Sequence, residues 1–229
     1  MTGLLSAALA AMMALSPAGD SIAPREKIIA RMMLIEVMQD GDMSRSTGNQ
    51  YHGQCRRFQS DSFLDAAQGF ALKDSPELIL SLPIEHMPAE DSGRPVGLVW
   101  SLPENGMVCA YEAVAVFDYD PSLSAKRNRE AAREFLSNVR AGDVLQMIGV
   151  FSGGARGTHT LMFSQPYDPR DDALYWIDSN FSNTRFDGVR YGYVRARQSW
   201  PIGDLVSWFA ADERTGATLY RLREDIVEE

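Results

Sequence analysis

The chain has 229 residues, 45% of them hydrophobic, with 22 Lys and Arg against 31 Asp and Glu for a formal net charge of -9. That apolar fraction is ample for a packed core, in one large domain or two small ones. An isoelectric point near 4.9 argues against a nucleic-acid binder, which would carry a basic face, and gives no reason for attraction to anionic membranes.

Residues Leu4 to Leu15 form an apolar stretch followed by Ser16-Pro17-Ala18-Gly19. No Lys or Arg precedes it, and the first basic residue is Arg25, so it lacks the positive start of a secretory signal peptide. It is too short to span a bilayer and reads as an apolar helix packed on the domain. A helix is predicted over Ile28–Gln39, with Ile28, Met32 and Ile35 on one face and Pro24 near its start. Residues 41–53 are polar and turn-rich. A second helix follows Cys55, because Phe63, Ala66, Ala67 and Phe70 fall at helical spacing. Residues 81–95 hold three prolines and mixed charge and read as a surface excursion. Strands are predicted over 96–100 and 107–117, joined across Pro103-Glu104-Asn105-Gly106, where Asn-Gly favours a tight turn.

A charged amphipathic helix is predicted over Ser122–Val139, then a strand over 142–150, a Gly-rich turn through Gly153, Gly154 and Gly157, and a strand carrying His159. Strands near 173–178 and 189–196, a short helix from Pro201 and a last strand over 217–223 complete the chain. Helices first and an antiparallel sheet afterwards predict a single α+β domain over 1–229.

The chemistry-bearing residues are Cys55, His159, Asp178 and Asn180. A thiol is mostly protonated at neutral pH, whereas the reactive form is the thiolate. A helix start favours that anion, and an imidazole that takes the proton stabilises it further. The imidazole needs an acceptor on its other nitrogen. Asp178 and Asn180 lie two apart on a strand and face the same side, so either can serve if their strand is an antiparallel neighbour of the His159 strand. The polar neighbours Gln54, Arg56 and Arg57 predict an exposed Cys55. Cys109 lies in an apolar run and reads as a buried structural thiol. His52, three residues before Cys55, is a rival base, and His86 a weaker one. No Cys and His pair shows metal-ligand spacing, so neither metal nor cofactor is expected. Trp100, Trp176, Trp200 and Trp208 read as core.

These residues and their order resemble the NlpC-type and CHAP-type members of the papain-like cysteine hydrolases. The resemblance is carried by Gly53-Gln54-Cys55 at a helix start and Arg140-Ala141-Gly142-Asp143-Val144 opening a strand. Thr158-His159-Thr160 and Trp176-Ile177-Asp178-Ser179-Asn180 follow on the next two strands. It covers residues ~45–182. It implies a papain-like fold, N-terminal helices packed on a central antiparallel β-sheet, with 1–44 as a helical extension. About a hundred positions separate Cys55 from His159, more than the family's spacing, which implies an insertion over 74–130. The backbone N–H of Cys55 is one oxyanion donor, and Gln50 or Gln54 is the candidate for the second.

The resemblance implies hydrolysis of an amide bond in bacterial peptidoglycan, with the stem peptide as substrate. A compact member without wall-binding repeats also resembles effectors delivered by contact-dependent secretion, such as type VI systems. That implies action in the periplasm or envelope of a target bacterium, a cognate immunity protein and a secretion-apparatus partner. Two other classes share these residues: a protease, deamidase or acyltransferase acting on protein, and a non-catalytic interaction domain with the same fold.

Overall fold

The structure, a computed structural model, describes residues 22–43, 54–73, 110–150, 154 and 156–228. The predicted apolar helix at 4–15, the Pro-rich excursion at 81–95, the strand at 96–100 and the Asn-Gly turn lie outside the described residues.

The centre of the fold is β2 (Val144–Val150), nearly every residue of which is buried. A strand covered on both faces must be apolar on both, and Val-Leu-Gln-Met-Ile-Gly-Val comes close to that. Around it stand β1 (Tyr111–Asp118), β3 (Arg156–Phe163), β4 (Ala173–Phe186), β5 (Val189–Pro201) and β6 (Gly216–Leu222), in the sheet order β1-β6-β2-β3-β4-β5. All neighbouring pairs are antiparallel. Strand alternation gives the six-stranded sheet two apolar faces.

On one face, Val144, Ile148, Met162, Ile177 and Tyr220 meet Ile28, Ile29 and Met32 of α1 (Pro24–Met38) and Phe58 and Phe63 of α2 (Gln54–Ala66). On the other, Leu145, Met147, Leu161, Phe163 and Leu219 meet Phe135 and Leu136 of α3 (Ala125–Leu136) and Leu205 and Phe209 of α4 (Ile202–Phe209). The architecture is therefore mixed α and β with an open antiparallel sheet. The order is less segregated than helices first, sheet afterwards: α1 and α2 precede the strands, but α3 and α4 are interleaved with them. Both start on readable signals. Ser124 caps α3 by accepting from Arg127 N–H, and Pro201 ends β5 just before α4.

Two local devices position the site. Asp143, 1% exposed, accepts from the Arg140 backbone N–H at 2.8 Å and from Arg221 Nε and Nη2 at 2.8 and 2.7 Å. The acidic residue of the Arg140–Val144 motif thus closes its own turn and ties β2 to β6. The second device is the β4–β5 hairpin, which is longer than predicted at both strands. Asp187 and Gly188 adopt positive φ of 49° and 77° between Phe186 and Val189, and such a two-residue turn matches strand twist.

Strand β1 falls inside the segment read as an insertion and forms one sheet edge beside β6. No described helix is long and apolar enough to cross a membrane.

Candidate active site

Cys55 is the second residue of α2, one of the early positions whose backbone N–H groups lack helical partners. It lies on the same stripe as Phe58, Gln59, Ser62, Phe63 and Ala66, all buried. The exposed thiol predicted from its polar neighbours is therefore corrected: Cys55 is 8% exposed. The helical stripe, not the flanking charges, sets its direction, and it faces the sheet.

His159 and Asp178 come from adjacent strands. β3 and β4 are antiparallel neighbours, but their ladder runs only from Leu161↔Asp178 through Met162↔Ile177 to Phe163↔Trp176. His159, two residues before Leu161, is the diagonal neighbour of Asp178 on one face. His159 Nε2–H donates to Asp178 Oδ2 at 3.1 Å, with His159 5% and Asp178 0% exposed. Nε2 being engaged, Nδ1 is the nitrogen that remains for the thiol. Asp178 is thus the residue that meets the imidazole. The Asn180 side chain lies outside the described residues, as do Gln50, His52, His86, Cys109 and the side chain of Gln54.

The electrostatics connect all three groups. Burial pushes the Cys55 thiol up, but a hydrogen bond and the charge of His159, with backbone and side-chain hydrogen bonds to Thr160, bring it below its ordinary value. Burial likewise pushes His159 down. Hydrogen bonds to Asp178 and Cys55 and their charges outweigh it and raise the imidazole to about 10. Opposite displacements of an acid and a base in contact describe a thiolate–imidazolium pair. Beneath it, Gln146 Nε2 donates to Thr160 Oγ1 at 3.3 Å. Phe181 lies against the imidazole at 5.3 Å between ring centroids.

Trp176 is fully buried, consistent with its reading as core, but it also carries a contact that the sequence reading missed. Its Nε1–H donates to Asp178 Oδ2 at 2.9 Å. The signal was available: Trp176 and Asp178 stand two apart on one strand and share a face. Trp208 is buried and Trp200 partly so, both in the cluster with Phe181, and Trp100 lies outside the described residues.

Among the described residues, no group of three or more His, Cys, Asp and Glu gathers where a metal ion could bind. No family model, curated protein or solved structure matches the chain. What the site can do therefore rests on its own chemistry: a thiol lowered and an imidazole raised by their mutual contact, with the buried Asp178 side chain hydrogen-bonded to the imidazole.

Proposed function

We propose that the protein is a cysteine hydrolase that cleaves an amide bond of bacterial peptidoglycan through Cys55, His159 and Asp178. The observation that carries this reading is the contact between a lowered Cys55 thiol and a raised His159 imidazole anchored on Asp178. The Cys55 thiolate attacks the amide carbonyl carbon, and the oxyanion that forms is met by the Cys55 backbone N–H. His159 gives its proton to the leaving amine as the C–N bond breaks, leaving a thioester. Water then attacks the thioester while neutral His159 takes its proton. The C–S bond breaks, the acid is released and the ion pair returns. Asp178 keeps the imidazole in place throughout without itself taking a proton.

The substrate class follows from the motif resemblance, which implies the stem peptide as ligand and a target cell's periplasm as the place of action. An immunity protein and a secretion component are the partners that this setting requires. One observation favours a second reading: a net charge of -9 gives little attraction to a negatively charged wall, so the same chemistry would suit a protein substrate. Directing the chain to the periplasm or the cytoplasm of a Gram-negative cell separates the two. The peptidoglycan reading predicts toxicity in the periplasm, little in the cytoplasm and none with Cys55→Ala. Equal toxicity in both compartments would favour a cytoplasmic protein target.

A further inference from the structure

We propose that Trp176 is a positioning residue of this site: its indole N–H holds the Asp178 carboxylate oxygen that orients the His159 ring. The inference rests on the reading of Cys55, His159 and Asp178 as a hydrolytic centre. Asp178 Oδ2 accepts twice, from Trp176 Nε1–H at 2.9 Å and from His159 Nε2–H at 3.1 Å. Its other oxygen, Oδ1, is buried and has no hydrogen-bond partner among the described residues. The indole is therefore the only described group besides His159 that restrains the carboxylate.

The indole is itself immobilised. Trp176 is fully buried and packs against Trp200 with ring centroids 5.8 Å apart. Its backbone is paired on both sides, with Phe163 of β3 and Gln198 of β5. Between Trp176 and Asp178 the β4–β5 ladder slips by one residue, with Trp176↔Gln198 followed by Asp178↔Arg195. Such a bulge changes local twist and re-aims side chains, and this one falls between the donor and its acceptor. An indole offers one donor and no acceptor, so it can only donate to the Asp178 oxygen and takes no proton from the relay.

Two effects of losing that donor oppose each other. Oδ2 would keep more charge for His159, which strengthens the ion pair. The carboxylate would also be free to turn away from His159, which weakens it. With Oδ1 unanchored, the second effect dominates, so loss of the N–H weakens the imidazolium and hence the thiolate.

The test is the pH dependence of alkylation of Cys55, followed by intact mass in a Cys109→Ala background so that a single thiol reacts. Trp176→Phe keeps an aromatic ring and removes the N–H. In the folded variant the alkylation midpoint moves up by about half to one pH unit, and labelling below it slows roughly three- to tenfold. An unchanged or lower midpoint overturns the positioning role. If Trp176→Phe does not fold, the Trp176 indole resonance is followed in the otherwise unaltered protein, assigned by replacing the other tryptophans in turn. It moves with pH through the alkylation midpoint if the indole is coupled to the ion pair, and a flat resonance overturns the role. Slow, ordinary labelling of Cys55 in the unaltered chain would instead sink the hydrolase reading itself. Fast labelling that Trp176→Phe leaves untouched removes only the role of Trp176.

Discussion

Cys55 and His159 are displaced against the direction that burial imposes: His159 is raised first by its hydrogen bond to Asp178 and then by Cys55, and Cys55 is lowered by His159. This sets a pH window. The His159 imidazole is raised in the folded state to about 10, so its contribution to stability is fully present below its unfolded value of about 6.5. It is lost as pH rises through the folded value. The lowered Cys55 thiol contributes with the opposite sign up to its ordinary value of 9.0. The unfolding free energy measured by denaturant should therefore decline chiefly between about pH 9.0 and about 10, and Asp178→Asn should shrink that decline. Hydrolysis should fall on the alkaline side over the approach to the same upper limit, as the leaving group loses its proton donor. On the acid side, activity should persist below the ordinary thiol value of 9.0, because the Cys55 thiol is lowered. A stability curve with no decline between about pH 9.0 and about 10 in the unaltered protein would contradict the ion pair.

The site residues were legible because their chemistry is rare: Cys55 at a helix start, one His on a later strand, and an Asp on the next. The contact of His159 with Asp178 was not, since it depends on the β3–β4 register, which local sequence does not encode. The burial of Cys55 was misjudged because neighbours in sequence point elsewhere on a helix.

At the scale of elements, periodicity located α1, α2, α3 and the central strand closely. It shortened β4, whose outer half through Ser182, Asn183 and Arg185 is too polar to read as strand, and it ended β5 before Arg197, although the strand runs on to Pro201. The Asp187-Gly188 turn was the missed cue. Gly142 shows how one residue joins two elements. It precedes β2 with φ of 85°, and a Cβ there would lie 2.6 Å from Ile29 Cγ2 of α1. Its N–H also donates to Phe163 O at 2.8 Å, fixing the end of the His159 strand. Gly142→Ala should destabilise the fold by about 2–4 kcal/mol, from the left-handed backbone and the overpacking together. Chemical denaturation reads this directly, and a loss under about 0.5 kcal/mol, the scale of an ordinary surface change, would show that α1 is not seated on this turn.

For the whole molecule, the α+β class was legible but the sheet order was not. β6 pairs with β1 and β2 across long stretches of chain, and such non-local pairing leaves no periodic trace in either strand. It depends on which apolar faces can be covered together, here by helices on both sides of the sheet. The result brings a helix start from early in the chain against two strands from its second half, and this juxtaposition carries the functional proposal. Its most direct test is digestion of purified sacculi by the intact protein, with released fragments identified by mass. The account predicts soluble fragments ending in a newly formed carboxylate and amine, none with Cys55→Ala although that variant remains folded, and nearly full release with Cys109→Ala. Equal release by the Cys55 variant, or intact sacculi after treatment with the unaltered protein, would contradict it.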